Sequence, residues 1–489
     1  MYRRGKSFIS AIACMTALGL TLGGCGSADH TENQAESEST IANESAETES
    51  SEESKESPAE SEEASEGDSE EAAEVTETTA EETEEVDEAQ EVPILRDCVQ
   101  QKMGCRIGCA LTGDEPWDIP LWNLVTTHFS SVTLGNELKP DSLFGYSVST
   151  CPGTEEAELN GETITVPVLN YKNPEKILNK ILKWNEANPD KALEVRGHVL
   201  LWHSQTPEWF FHEDYDKTKP YVTPEVMTKR EEWYIREVLT HFTGEDSPYK
   251  DLFYGWDVVN EAVSDGTGTY RTDTENPNED LSEDRHGNNS SWWHVYQSEE
   301  FIINAFKFAN KYAPADLELY YNDYNECVPQ KRQGIIKLLE AIKAEEGAPG
   351  EGTRIDAMGM QGHYSVNSNA NDVEVSAEAY GEVVGNVQIT EWDLSASDGY
   401  DGSVEAMETE YEKQRKTYNL MYYALQSAKN SGKVNITGMT FWGTVDKYSW
   451  LNFRSNVGGG SKKDQKQCPL LFDSNYEPKP CFYVFADTN

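Results

Sequence analysis

Basic residues are scarce in this 489-residue chain: 40 Lys and Arg stand against 88 Asp and Glu, a formal net charge of -48 at pH 7. Nucleic acid and anionic membrane surfaces are bound through Lys and Arg, so neither is expected as a partner. None of the nine Cys falls in a Cys-x-x-Cys pair or at a Cys/His ligand spacing. No metal and no other cofactor is therefore expected. Aromatic residues are missing altogether between Gly26 and Glu91, where 26 Asp and Glu accompany a single Lys, Lys55. Such a stretch has too little apolar surface to offset the entropy of ordering a chain. It is expected to be a disordered tether, extended by its own like charges. The apolar stretch Phe8–Leu22 is in turn too short for a comfortable membrane span.

That stretch follows a basic start (Arg3, Arg4, Lys6), which is the layout of a secretory signal peptide. It ends Leu22-Gly23-Gly24-Cys25, which resembles the bacterial lipobox, where the Cys becomes the lipidated first residue of the mature protein. The expected organisation is a lipoprotein signal peptide over residues 1–24, a lipidated Cys25 with an acidic linker over 25–92, and one folded domain over 93–489. The protein is then exported and held at the bacterial cell surface or membrane through the lipid on Cys25. A flexible tether of roughly 66 residues reaches on the order of 45 Å. Seven Cys remain in the folded part. Export permits disulfides, but an odd number leaves at least one thiol without a partner in its own chain. A monomer is expected.

Within 93–489, short apolar runs alternate with longer amphipathic stretches. The strand candidates are Ile107–Thr112, Ser131–Leu134, Glu194–Leu201, Phe253–Val259, Glu318–Tyr321, Ile355–Met360, Val387–Thr390 and Ile436–Phe441. Between them lie helical patterns such as Pro174–Ala187 and Phe301–Ala313. Eight strands with helices between them predict parallel βαβ units closed into a (β/α)8 barrel, the TIM-barrel form of the α/β class. Polar or aromatic residues follow the strand candidates at once: Asn136-Glu137, Trp202-His203, Asn260-Glu261, Asn322-Asp323, Gln361–His363, Glu391–Asp393 and Trp442. In such a barrel the active site lies at the strands' C-terminal ends.

Two of those ends close on carboxylates, Glu261 and Glu391. Hydrolysis of a glycosidic bond needs two carboxyl groups, one to protonate the leaving oxygen and one to act at the anomeric carbon. Side chains two apart on a strand share a face, so Glu391 and Asp393 can point inward together, as can Gln361 and His363. Asn260 and Glu261 are adjacent and cannot both do so on a regular strand, so the chain must end or kink there.

From about residue 105 to 489 the chain resembles glycoside hydrolase family 10 xylanases. The matching pieces are Asn136-Glu137-Leu138-Lys139, Arg196-Gly197-His198 through Leu201-Trp202-His203-Ser204-Gln205-Thr206-Pro207, Asp257 to Val263, Gly359-Met360-Gln361-Gly362-His363-Tyr364, Thr390-Glu391-Trp392-Asp393, and Phe441-Trp442-Gly443 with Asp446 and Ser449-Trp450. The resemblance implies endo-acting, retaining hydrolysis of β-1,4-xylosidic bonds in xylan and xylo-oligosaccharides, as part of plant cell-wall breakdown. It makes Glu261 the acid/base and Glu391 the nucleophile, with His363 and Asp393 orienting Glu391 and keeping it ionised. Asn260 would hold the 2-hydroxyl of the sugar being cleaved. Asn136, Glu137, Lys139, His198 and Trp202 would meet sugars on the non-reducing side, with Trp442 and Trp450 as aromatic walls. Tyr324 would touch the leaving-group sugar, and Gln361 joins the binding set.

Other readings compete. Trp442 and Trp450 could be core residues, and His203 could serve the core or the site. A lipid-anchored sugar-binding protein without turnover, or the same barrel acting on a β-glucan or mannan, would be told apart by hydrolysis products. The sequence departs from the family pattern at Trp392, which should point outward into the helix layer. It departs again in two insertions, Ser142 to Asn170 and Asp265 to Ser291, both expected on the active-site face.

Overall fold

The computed structural model describes residues 92–284, 287–453 and 467–486. Signal peptide, Cys25 and almost all of the acidic linker lie outside the described residues. Eight parallel strands form the centre: β1 (Arg106–Leu111), β2 (Ser131–Leu134), β3 (Glu194–Gly197), β4 (Phe253–Asn260), β5 (Glu318–Asp323), β6 (Ala357–Met360), β7 (Asn386–Ser395) and β8 (Asn435–Phe441). Each pairs with its neighbours in chain order, and β8 pairs with β1 (Gly108 beside Thr440), so the sheet closes and leaves no edge. Every strand candidate is present. Two differ in extent by more than two residues. The third stops at Gly197, and Leu201–Trp202 then forms a separate short strand against β4. The seventh runs on to Ser395, because residues past Thr390 pair with the short strand His363–Ser365.

The interior of the barrel is a polar network rather than a stack of aliphatic side chains. Arg196 makes a bidentate ion pair with Asp257, and both are buried. Arg196 also donates to Gln388 (3.2 Å), which donates to the Tyr254 hydroxyl (2.8 Å), and its guanidinium lies 4.5 Å from the Tyr320 ring centre. Gly359 leaves the room for this group: a Cβ there would lie 3.1 Å from the guanidinium and 2.3 Å from the Asn322 amide.

The outer layer follows the amphipathic patterns. Helix Lys172–Ala187 buries Ile177, Leu178 and Ile181, a stripe at helical spacing. Helix Glu300–Tyr312 buries Phe301, Ile302, Ala305, Phe306 and Ala309 in the same way. Trp392 points outward as expected, stacked on Phe441 and edge-on to Tyr418 and Phe485. No described helix is long and apolar enough to cross a membrane. Among the described residues no cysteine forms a disulfide.

The first insertion departs from expectation. Its hairpin, Thr154–Leu159 paired with Glu162–Pro167, turns through Asn160-Gly161, both at positive φ, the conformation of a tight two-residue hairpin turn. It lies along the outer helices, not over the active-site face. Glu162 pairs with Lys229, Asn160 bonds Glu232 and Lys311, and Arg236 donates to the Glu158 carbonyl. Only the segment before it stays at the rim, where Ser149 bonds Asp284 of the second insertion (2.6 Å). Helices Pro224–Thr243 and Glu300–Tyr312 supply these cationic and carboxylate partners, so tertiary contacts decided where the hairpin lies.

Candidate active site

Seven of the proposed site residues meet at the C-terminal rim of β4, β6, β7 and β8. Glu391 lies within β7 and is buried; its backbone N–H donates to the Gln361 carbonyl (2.7 Å). One oxygen accepts from the Asn322 amide (2.8 Å), and the other lies 3.2 Å from His363 Nε2. His363 Nδ1 lies 3.0 Å from Asp393. The second oxygen of Asp393 accepts from the Trp450 indole (2.8 Å). Both nitrogens of His363 therefore face carboxylate oxygens, an arrangement only an imidazolium satisfies.

Burial opposes that charge, but Asp393 and Glu391 outweigh it and hold His363 up to about 10. Burial likewise opposes ionisation of Glu391. The hydrogen bond from His363, with the charges of His198 and His363, outweighs it and brings Glu391 down to about 2. The two shifts have opposite consequences for stability. The His363 contribution is complete below about pH 6.5 and is lost as pH rises through about 10. The Glu391 contribution is complete above about pH 4.5 and is lost as pH falls through about 2. His363→Gln should therefore move the acid limb of the pH dependence of kcat/KM upward, toward the ordinary carboxylate range. A pH–rate profile checks this, and an unmoved acid limb would contradict the role given to His363.

Glu261 is treated differently. It follows the last residue of β4 and takes φ +57°, so the chain kinks there as the adjacency with Asn260 required. Its carboxylate accepts from Trp202 Nε1 (2.9 Å), Gln361 Nε2 (2.9 Å) and Asn260 Nδ2 (3.2 Å), all neutral donors. Asn260 Oδ1 in turn accepts from Asn322 (3.0 Å) and Gln361 (3.2 Å). Asn322 thus bridges the Glu261 and Glu391 halves of the site. The sequence reading placed it at a strand end but gave it no role; its position, directly beside Asp323 on β5, was the available signal.

Lys139 donates to Asn136 (3.1 Å) and Gln205 (3.0 Å) and lies 5.0 Å from the Trp202 ring centre. Burial pulls its ammonium below the ordinary range, against the attraction of Glu391, Asp141, Glu261 and Glu137. Glu137 is turned away from Lys139 and accepts from the Gly113 N–H (2.6 Å). His198 is fixed by Asp257 (2.8 Å). Trp442 stands edge-on to His198 and His363, and Trp450 lies against His363. Both Trp are half-buried, so each packs the site and presents a surface to it. Tyr324 donates to Asp265 and accepts from Arg271 (3.2 Å), away from the Glu391 cluster. His203 lies 3.2 Å from the Gly287 carbonyl and ties down the second insertion. No cluster of metal-binding side chains occurs among the described residues.

A closed (β/α)8 barrel whose rim presents one charge-stabilised carboxylate and a second held by neutral donors defines a glycoside hydrolase. The profile of Glycosyl hydrolase family 10 matches residues 95–488, and the chain belongs to that family. It is 34% identical over 303 residues to a putative endo-1,4-beta-xylanase of Caldicellulosiruptor saccharolyticus, covering 60% of this chain and 84% of that one. It is 31% identical over 402 residues to endo-1,4-beta-xylanase A of Thermotoga maritima, covering 81% of this chain but only 31% of that longer one. Among solved structures it resembles the CBM22-1 and GH10 modules of the Clostridium thermocellum endo-1,4-beta-D-xylanase 10B in complex with xylohexaose. There the TM-score is 0.62 at 28% identity, over 81% of this chain and 67% of that one.

Proposed function

We infer that this family 10 chain is an endo-1,4-β-xylanase that cleaves internal bonds of xylan with retention, and so contributes to plant cell-wall polysaccharide degradation. The observation that carries the roles is the contrast between the two carboxylates. Glu391 is buried, ionised down to about 2 and steadied by an imidazolium, which suits a nucleophile. The Glu261 carboxylate meets only neutral side-chain donors and sits on a kinked strand end, which suits a group that gives and takes a proton. In this reading Asn136, Glu137, Lys139, His198 and Trp202 serve as glycone contacts. Relatives named as xylanases, and a related structure holding xylohexaose, favour xylan over a β-glucan or mannan. Digests of xylan, cellulose and mixed-linkage glucan test the reading. Internal cleavage of xylan, with the β-anomer of the product formed first, is the expected outcome. Preferential cleavage of cellulose, or the α-anomer formed first, would contradict it.

We also propose that the enzyme is monomeric and held at the bacterial membrane by a lipid on Cys25, with residues 26–92 as a passive tether. Cys25→Ala should release it from the membrane fraction without lowering activity on soluble xylan. Unchanged membrane association would count against the anchor.

A further inference from the structure

Resting on the assignment of Glu261 as acid/base, we propose that Arg271, with Tyr321, is a positioning residue that clamps the backbone of Glu261 and so aims its carboxyl group at the leaving oxygen. The side-chain partners of Glu261 cannot do this alone. Trp202, Asn260 and Gln361 hold the carboxylate, but the residue's φ of +57° is a left-handed conformation disfavoured for any side chain with a Cβ. Something must hold the peptide units on either side.

Three bonds do so. The Glu261 N–H donates to the Asn322 carbonyl (2.9 Å). Its carbonyl accepts from Arg271 Nε (2.8 Å). The next N–H, of Ala262, donates to the Tyr321 hydroxyl (2.9 Å), which itself donates to buried Asp323. Arg271 is buried and is fixed at its other end by the Asn288 carbonyl (3.1 Å) and the Tyr324 hydroxyl (3.2 Å). Packing does not replace the clamp. A small cavity, with room for about one water, lies behind Glu261 and is lined by Trp202, His203, Asn260, Arg271 and Trp292. A released Glu261 would have space to relax into.

The sequence builds the clamp through the turn that opens the second insertion. Val263 bridges Tyr270, the Arg271 N–H donates to the Ala262 carbonyl (2.7 Å), and the Ser264 N–H donates to the Thr269 carbonyl (2.8 Å). The chain doubles back at Gly268, at φ +63°, and returns Arg271 to Glu261. Gly334 of helix Pro329–Ala344 lies against this turn: a Cβ there would come within 2.2 Å of the Gly268 carbonyl oxygen.

General acid help requires the proton within hydrogen-bond reach of the leaving oxygen, and a displacement of about 1 Å can cost roughly 100-fold. Arg271→Met and Tyr321→Phe test the proposal through kcat/KM on xylan and on aryl β-xylobiosides of graded leaving-group ability. Active sites are counted with a slow-turnover fluorinated glycoside, so misfolded protein does not enter the rate. Arg271→Met should lose roughly 100-fold on xylan but stay within about threefold on a dinitrophenyl glycoside, whose leaving group needs no proton. Tyr321→Phe, the milder change should Arg271→Met not fold, should show the same steepened dependence on leaving group. Equal losses on both substrates, or none on either, would overturn the clamp. Glu261→Ala, measured alongside, separates the two failures. If it shows no leaving-group dependence, the acid/base assignment falls and the clamp with it. If it does and neither variant follows it, the clamp alone falls.

Discussion

Glu391→Ala should abolish turnover of xylan and of aryl xylosides alike, beyond the ~10²–10⁴-fold that acid–base help alone contributes. In the proposed double displacement no glycosyl-enzyme can form without this carboxylate, whatever the leaving group. Its surroundings are built for the charged form: His363 and Asn322 donate to its two oxygens, and Asp393 holds the imidazolium in line. Glu261→Ala should fail differently. Xylan hydrolysis should drop by ~10²–10⁴-fold, because the departing sugar hydroxyl needs a proton. On an aryl glycoside with a good leaving group the first step should survive, so the intermediate accumulates and azide accelerates turnover to the β-glycosyl azide. Azide given to Glu391→Ala should instead return the α-azide, because it occupies the nucleophile's place and inverts the centre once. If Glu391→Ala kept aryl-glycoside turnover while Glu261→Ala lost it, the two roles would be exchanged.

The two carboxylates could be found in the sequence because a barrel exposes residues at strand ends, and an apolar run that stops at Asn260-Glu261 marks such an end. The kink at Glu261 was legible too, since two adjacent residues cannot share one face of a strand. The extent of β7 was not. Thr390-Glu391-Trp392-Asp393 sets one aromatic residue among three polar ones, but all four are buried: a β-bulge between Ile389 and Trp392 lets Thr390 and Glu391 both reach Asn322, and Trp392 lies under the helices. A pattern that normally marks a half-exposed strand end here marks a strand buried on both faces. Asn322 escaped for a related reason: its amide bonds only groups brought together from β4 and β7. Of the hairpin at 154–167, the alternation at Glu162–Val168 is legible in the sequence. Its place outside the barrel depends on Lys229, Glu232, Arg236 and Lys311, which no local pattern ties to it. Arg196 was visible as a motif residue, yet a cation at the centre of a barrel is not what strand propensity suggests.

That cation carries the largest effect expected on stability. Asp257→Leu should destabilise the domain by about 3–5 kcal/mol, because it removes one partner of a buried pair and leaves the other charge unpaired. The case is a clear one, as both side chains are almost wholly excluded from solvent, at 1% and 0% exposure. The other groups around Arg196 are neutral: the Gln388 amide accepts one N–H and the Tyr320 ring covers the guanidinium. Arg196 cannot escape by losing its proton, as a buried Lys could. Replacing the pair together, as Arg196→Met with Asp257→Leu, should recover much of the loss, since well-packed apolar groups often substitute for a buried ion pair at little cost. Denaturant unfolding of the four proteins closes the cycle, and the coupling between the sites should be large and favourable. Activity should not recover in the double variant. Asp257 also fixes His198 Nδ1, and His198 contributes to the positive potential that keeps Glu391 ionised. Asp257→Leu as stable as the wild type would mean that water reaches Arg196, and the barrel would not then be sealed at this level.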